Sequence, residues 1–284
     1  MTVTESDLPF VARDGLPLVG TLFSPDEVGE PKKLPAVVVV HGFAGNRSHP
    51  IRLWGRELAA RGFPAFVIGN RGSDRAWTHD GRSYGANYEW LDEAPRDISG
   101  AVDALRRRGH ERFILAGQSL GCVKIAYTQA VSPIDGVVGI APRAGPRFAA
   151  SSLERHGEEF AAATRAAEAK IAAADPEGLI ETNAPVPGPF AAGAYLDKYG
   201  PHGRYDWPLL LEKVAVPWCA ILGGSDPSFL VQAAIEMLRG RPVLQPGCEL
   251  HVVPHWQHNI DKPDGSVPAG SAQLVADWWA KLER

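Results

Sequence analysis

The chain has 284 residues, 45% hydrophobic and 22% charged, which is ample for a buried core and excludes a small scaffold that depends on disulfides or a metal. Lys and Arg number 29 against 33 Asp and Glu, a net charge of -4, so no overall positive field recommends nucleic acid or an anionic membrane as a partner. The longest apolar run, Ala36 to Val40, has the length of a strand and falls far short of the roughly 20 residues of a membrane span.

The chain opens with two β-rich segments, Leu8 to Ala12 and Leu16 to Phe23, joined at Arg13-Asp14-Gly15, a hairpin signature. Pro35 to Val40 is a continuous β-branched run suited to a strand covered on both faces, and Ile51 to Arg61 follows with Leu53, Trp54, Leu58 and Ala59 at helical spacing. The strand and helix pairing recurs as Ala65 to Gly69 with Arg96 to Arg107 and as Phe113 to Gly117 with Leu120 to Ala130, before a strand at Gly136 to Ile140. Such alternation predicts an α/β fold on a mostly parallel sheet. From Ala149 to Ala174 the sequence is rich in Ala and Glu with strong helix propensity, and a Pro/Gly-rich stretch, Ala184 to Pro189, precedes a short helix near Ala191 to Lys198. Residues 145–210 therefore read as an inserted helical cap between core segments 1–144 and 211–284. The core rhythm resumes with strand Trp218 to Leu222, helix Phe229 to Leu238, strand Glu249 to Val253 and a final amphipathic helix, Ala272 to Leu282.

Cys122, Cys219 and Cys248 lie far apart without C-x-x-C spacing, and one thiol is left over however they pair, so they read as reduced structural residues. The opening residues, Met1 to Asp7, are acidic and polar and lack the basic and apolar regions of a secretory signal. The expectation is a cytoplasmic protein acting on a small molecule.

The strand Arg112 to Ala116 runs into Gly117-Gln118-Ser119-Leu120-Gly121 and then a helix, which is the G-x-S-x-G nucleophile elbow in its strand, turn and helix setting. Glycines suit a turn so sharp that a Cβ at either position would meet a neighbouring element. A serine hydroxyl needs a base, and the base a carboxylate to orient it. Strand Cys219 to Leu222 ends in Gly223-Gly224-Ser225-Asp226, which places Asp226 at a strand's carboxyl end, as the acid or as a helix N-cap. Strand Leu250 to Val253 ends in Pro254-His255-Trp256-Gln257-His258-Asn259, offering two candidate bases. His255 follows the strand almost at once and has little freedom to swing, so His258, deeper in the loop, is preferred. The expected oxyanion donors are the N–H groups of Leu120, directly after the serine, and of Phe43 in the loop His41-Gly42-Phe43-Ala44-Gly45-Asn46.

Taken together, His41-Gly42-Phe43, Asn70-Arg71-Gly72, Gly117-Gln118-Ser119-Leu120-Gly121, Gly224-Ser225-Asp226 and His258 resemble the motifs of α/β-hydrolase serine esterases and acyl-hydrolases. The resemblance spans residues 8–284 apart from the cap. It implies the α/β-hydrolase fold with an eight-stranded, mostly parallel sheet flanked by helices. It also implies a Ser119, His258 and Asp226 triad that cleaves a small or medium carboxylic ester through an acyl-enzyme, with no cofactor and no metal. The same machinery serves amides, lactones, thioesters or C–C bonds, and the fold can also persist as a non-catalytic ligand binder. The chain departs from esterases with a His-Gly-Gly-Gly oxyanion motif, because Phe43 stands where the second glycine would be. The narrow space that results predicts cleavage of primary-alcohol esters and exclusion of bulky tertiary-alcohol esters.

Further pocket candidates are Arg71, Trp77 and Tyr84. Arg71, at a strand's carboxyl end, could hold a substrate carboxylate or make a structural ion pair. Trp77 and Tyr84 belong to the aromatic stretch Ser73 to Ala94, which could line an apolar pocket or pack against the cap. Cys122, one turn into the helix after the serine, reads as a buried small residue and not as a second nucleophile.

Overall fold

A computed structural model of the chain describes residues 2–26, 34–48, 50–241, 244–258 and 266–284. Eight strands form one sheet: β1 Val3–Val11, β2 Pro17–Pro25, β3 Ala36–Val40, β4 Ala65–Ile68, β5 Phe113–Gln118, β6 Val137–Arg143, β7 Cys219–Gly223 and β8 Glu249–Val253. Their order is β1-β2-β4-β3-β5-β6-β7-β8. β1 and β2 pair antiparallel, as do β2 and β4, while every later neighbour pairs parallel. The expected α/β-hydrolase sheet is therefore present, with the opening hairpin as its antiparallel edge.

The flanking helices are α1 Ile51–Ala60, α2 Ala94–Arg106, α3 Leu120–Val131, α6 Phe229–Arg239 and α7 Ser266–Leu282, with α4 Glu158–Ala172 and α5 Ala192–Tyr199 between β6 and β7. β-Branched runs suit the central strands because successive side chains alternate between two covered faces. Val37 and Val39 join Trp54, Leu58, Val275 and Trp278 of α1 and α7, whereas Val38 and Val40 join Ile98, Val102 and Val123 of α2 and α3.

Three elements differ from the sequence expectation. The helical stretch Ala149 to Ala174 is broken: a single turn at Ala150–Leu153 and a 3-10 turn at Glu154–His156 lead to Gly157 at φ +67°, and only then does α4 begin. Glycine permits that reversal at no steric cost, and Ala-rich propensity on either side does not carry the helix through it. The second difference is an antiparallel hairpin, Leu179–Thr182 with Gly188–Ala191, whose turn is the Pro/Gly-rich stretch. Its strands carry too few apolar residues to announce themselves. The final helix also starts at Ser266, with Pro268 in its first turn, six residues before the expected Ala272.

α2 crosses the end of β1 at Gly100, where a Cβ would stand 2.3 Å from the Val11 carbonyl oxygen and 2.8 Å from Ala12 Cα. Alanine would raise helix propensity by about 1 kcal/mol, but backbone atoms cannot rotate aside and overpacking costs about 1–3 kcal/mol. Gly100→Ala should therefore lower the free energy of urea unfolding, and a more stable variant would contradict this packing.

Candidate active site

Ser119 stands between β5 and α3 with φ 55° and ψ -121°. Contacts on both sides impose this conformation. A Cβ on Gly117 would lie 2.3 Å from the Gly121 carbonyl oxygen, and one on Gly121 would lie 2.2 Å from that of Val40. Two hydrogen bonds hold the turn: the Ser119 N–H donates to the Arg143 carbonyl, and the Cys122 N–H to the Ser119 carbonyl, each at 2.9 Å. The result projects Oγ beyond the carboxyl edge of the sheet.

The acid and base arrive on the two loops that follow β7 and β8, and these loops are tied together. Gly224 N–H donates to the Val253 carbonyl at 2.8 Å and Ser225 N–H to the Trp256 carbonyl at 3.1 Å. Asp226 is buried, and its Oδ1 accepts the Ser228 N–H at 2.9 Å. Its Oδ2 lies 2.9 Å from His258 Nδ1, and His258 Nε2 lies 2.8 Å from Ser119 Oγ. One neutral tautomer satisfies both contacts: Nδ1–H donates to the carboxylate and the serine O–H donates to Nε2. His255 is exposed on the same loop, and Asn259 lies outside the described residues. A hydroxyl, an imidazole and a buried carboxylate in line form the relay of a serine hydrolase.

The model of the alpha/beta hydrolase family matches residues 37–274. The chain belongs to that family. Among solved structures, this α/β-hydrolase is similar to the alpha/beta hydrolase GrgF from Penicillium sp. sh18, with TM-score 0.69 and 15% identity over 98% of each chain. It is also similar to Est1E from Butyrivibrio proteoclasticus, solved with ferulic acid, with TM-score 0.65 and 16% identity over 95% of this chain and 99% of that one. The dienelactone hydrolase from Anabaena variabilis gives TM-score 0.59 and 18% identity over 99% of both chains. At these identities the likeness is one of fold.

In this α/β-hydrolase two cavities meet at Ser119 and His258. One, of about 400 Å³, is lined by Phe43, Leu120, Phe148, Val186, Tyr199 and Leu230, together with the triad. The other, of about 360 Å³, has a more polar wall that includes His41, Asn46 and Gln118, and it shares Phe43, Ser119, Val186 and His258 with the first. Phe148, Val186 and Tyr199 come from the segment between β6 and β7 and were not legible as pocket residues, since no periodic pattern marks them. Phe190 of that segment stacks on Phe43 with centroids 5.6 Å apart, so the insertion packs directly on the loop expected to supply an oxyanion donor. Leu120 is the first residue of α3, where an N–H has no acceptor within the helix. Gly42 brings the same loop so near the nucleophile that a Cβ would lie 2.9 Å from that of Ser119.

The other candidates stand elsewhere. Arg71 is 1% exposed and lines neither cavity. Its Nη2 contacts Asp97 at 2.8 Å and Asp14 at 2.9 Å, and its Nη1 contacts Glu93 at 2.8 Å. Burial works against the charge, but the Asp97 and Glu93 carboxylates outweigh it and hold the guanidinium above its ordinary pKa. Its donors are thus engaged by the protein. Trp77 and Tyr84 face each other across a small hairpin, Trp77–His79 with Arg82–Tyr84, with rings stacked at 4.6 Å. Neither lines the cavities at Ser119; Trp77 borders a separate surface cleft with Asn46, Arg47 and Asp74. Cys122 donates its Sγ–H to the Gly117 and Arg143 carbonyls at 3.0 and 2.8 Å, and burial pushes its thiol pKa up. It is a structural donor.

His41 is fully buried in the loop after β3, where Nδ1–H donates to the Gly42 carbonyl at 2.8 Å and the Ser73 hydroxyl donates to Nε2 at 3.0 Å. Burial, reinforced by Lys124, pulls its pKa down from 6.5 to about 4. The unfolded chain takes up this proton near 6.5 and the folded one only near 4, so the stabilisation is complete above the upper value and lost as pH falls to the lower. The loss is worth about 3 kcal/mol. His41→Asn should show a correspondingly shallower decline in urea-unfolding free energy between pH 7 and pH 4, and an unchanged slope would remove His41 as its cause.

Proposed function

We propose that the protein hydrolyses small to medium carboxylic esters through an acyl-enzyme on Ser119. The observation that carries this reading is the unbroken line from Ser119 Oγ through His258 to Asp226, at 2.8 and 2.9 Å, opening onto two cavities. Oγ attacks the carbonyl carbon as His258 Nε2 takes its proton, and Asp226 holds the imidazole in the tautomer this requires. The Phe43 and Leu120 amides take the developing oxyanion. His258 then gives its proton to the departing alcohol, and water repeats the sequence to release the acid.

The apolar cavity beside Phe148 and Leu230 suits an alkyl or aromatic group of the ester. Est1E, a structural neighbour, was solved with ferulic acid, which supports an aromatic acid part. Residues 145–210 act as the cap in this reading: Phe148, Val186 and Tyr199 supply part of that cavity wall, and closure over it excludes bulk water from the acyl-enzyme. No helix among the described residues is long and apolar enough to cross a membrane. Three free, buried thiols accord with a reducing cytoplasm.

A fluorophosphonate probe should label the wild-type protein at Ser119 and leave Ser119→Ala unlabelled, with ester turnover reduced on the order of 10⁴-fold or more in that variant. Failure of the folded wild-type protein to label would overturn the reading. Phe43 lines both cavities next to the serine, so n-butyl acetate should be cleaved and tert-butyl acetate refused. Comparable rates on the two esters would remove Phe43 as the limit on the alcohol.

A further inference from the structure

The last residue of β6, Arg143, reaches both sides of the triad without lining either cavity. Its carbonyl accepts the Ser119 N–H at 2.9 Å and the Cys122 thiol at 2.8 Å. Its side chain turns the other way. Nε–H donates to Ser271 Oγ of α7 at 3.1 Å, and Nη1–H donates to the backbone carbonyl of His258 at 3.2 Å. The Ser271 hydroxyl donates onward to the Val267 carbonyl at 2.7 Å, which leaves its lone pairs to the guanidinium.

Arg143 is 1% exposed, and no carboxylate lies within ion-pair distance of it among the described residues. Arg71, equally buried, is met by three. A buried cation that meets no carboxylate among the described residues is costly, and here burial pulls the pKa down to about 10, which still leaves the group charged at neutral pH. The Asp226 carboxylate supports the charge, whereas burial keeps the Cys122 thiol protonated and neutral. A plain structural role would be served better by an apolar residue; what the guanidinium adds is a fixed fork and a charge beside the acid and base.

We infer that Arg143 is a positioning residue of the triad: its fork pins the His258 backbone at the distance that lets Nε2 meet Ser119. This rests on the serine-hydrolase reading. One consequence separates it from packing alone. Loss of the fork slows the chemical step and leaves binding unchanged, because Arg143 touches no cavity.

The test is the rate of inactivation by a fluorophosphonate, resolved into kinact and KI, for the wild type, Arg143→Gln and Arg143→Lys. The Gln variant should lose about tenfold or more in kinact with KI unchanged. The Lys variant keeps the charge without the fork, so its kinact should fall as well, again with KI unchanged. If the Gln variant does not fold, the Lys variant decides: wild-type kinact there overturns the inference. A folded Gln variant with wild-type kinact, or with a loss confined to KI, overturns it as well. Absence of labelling in the wild type would instead be a failure of the serine-hydrolase reading itself.

Discussion

The close approach of α3 to β3 is the constraint on which the rest depends. With the Val40 carbonyl only 2.2 Å from where a Gly121 Cβ would be, the helix can begin nowhere but tight against the strand, and the chain between β5 and α3 has a single residue in which to reverse. Ser119 absorbs the reversal at φ 55°, a conformation that costs a non-glycine residue on the order of 1–3 kcal/mol. The amide bonds to Arg143 and from Cys122 offset part of that cost. They also fix where Oγ points, so the nucleophile is preorganised by backbone packing before any substrate is present. The same geometry leaves the Leu120 amide at the free end of α3, where the helix dipole is positive.

Buried charge joins apolar contact in tying the segment between β6 and β7 to this helix. Glu89 is 3% exposed and meets Lys124 of α3 at 2.6 Å, while Lys198 of α5 stands 4.0 Å from its other oxygen and donates to the Ala86 carbonyl at 2.9 Å. A buried carboxylate thus lies between the helix that carries the serine and the helix that supplies Tyr199 to the cavity wall. Such a group is tolerable only when its partners are in place, which makes it a specifier of one arrangement and a poor source of net stability. Phe190, just before α5, adds an aromatic contact to Phe43.

The parts of this molecule governed by local rules were legible in the sequence. β-Branched runs gave the central strands, and the elbow glycines, Asp226 and His258 followed from where those strands end. What was hidden depended on partners distant in sequence. Asn70-Arg71-Gly72 sits at a strand's carboxyl end, where ligands often bind. Yet Asn70 Oδ1 accepts from Lys124 at 3.2 Å, Arg71 meets three carboxylates, and a Cβ on Gly72 would fall 2.1 Å from Glu89 Oε1. The motif is an anchor for buried charge. Nothing in its spacing distinguishes that from a ligand edge, because Asp14, Glu93 and Asp97 come from separate elements. Trp77 and Tyr84 misled for a related reason: an aromatic-rich loop signals apolar burial, and the two rings bury much of that surface against each other.

The segment that supplies part of the cavity wall leaves the sheet between the strands that carry Ser119 and Asp226. β6 lies between β5, which delivers Ser119, and β7, which delivers Asp226. A segment that departs after Arg143 and returns before Cys219 is rooted at the carboxyl edge between nucleophile and acid, and it contributes Phe148, Val186 and Tyr199 to the cavity wall from there. Its residues can change shape and polarity without altering a triad distance, since those distances are set by β5, β7 and β8 and the loops that follow them. Arg143 is the junction: its backbone belongs to the sheet that seats the serine, and the chain one residue later, at Ala144 with φ 52°, turns away to begin that wall. The sheet edge that holds the triad and the segment that supplies part of the cavity wall therefore meet at one peptide.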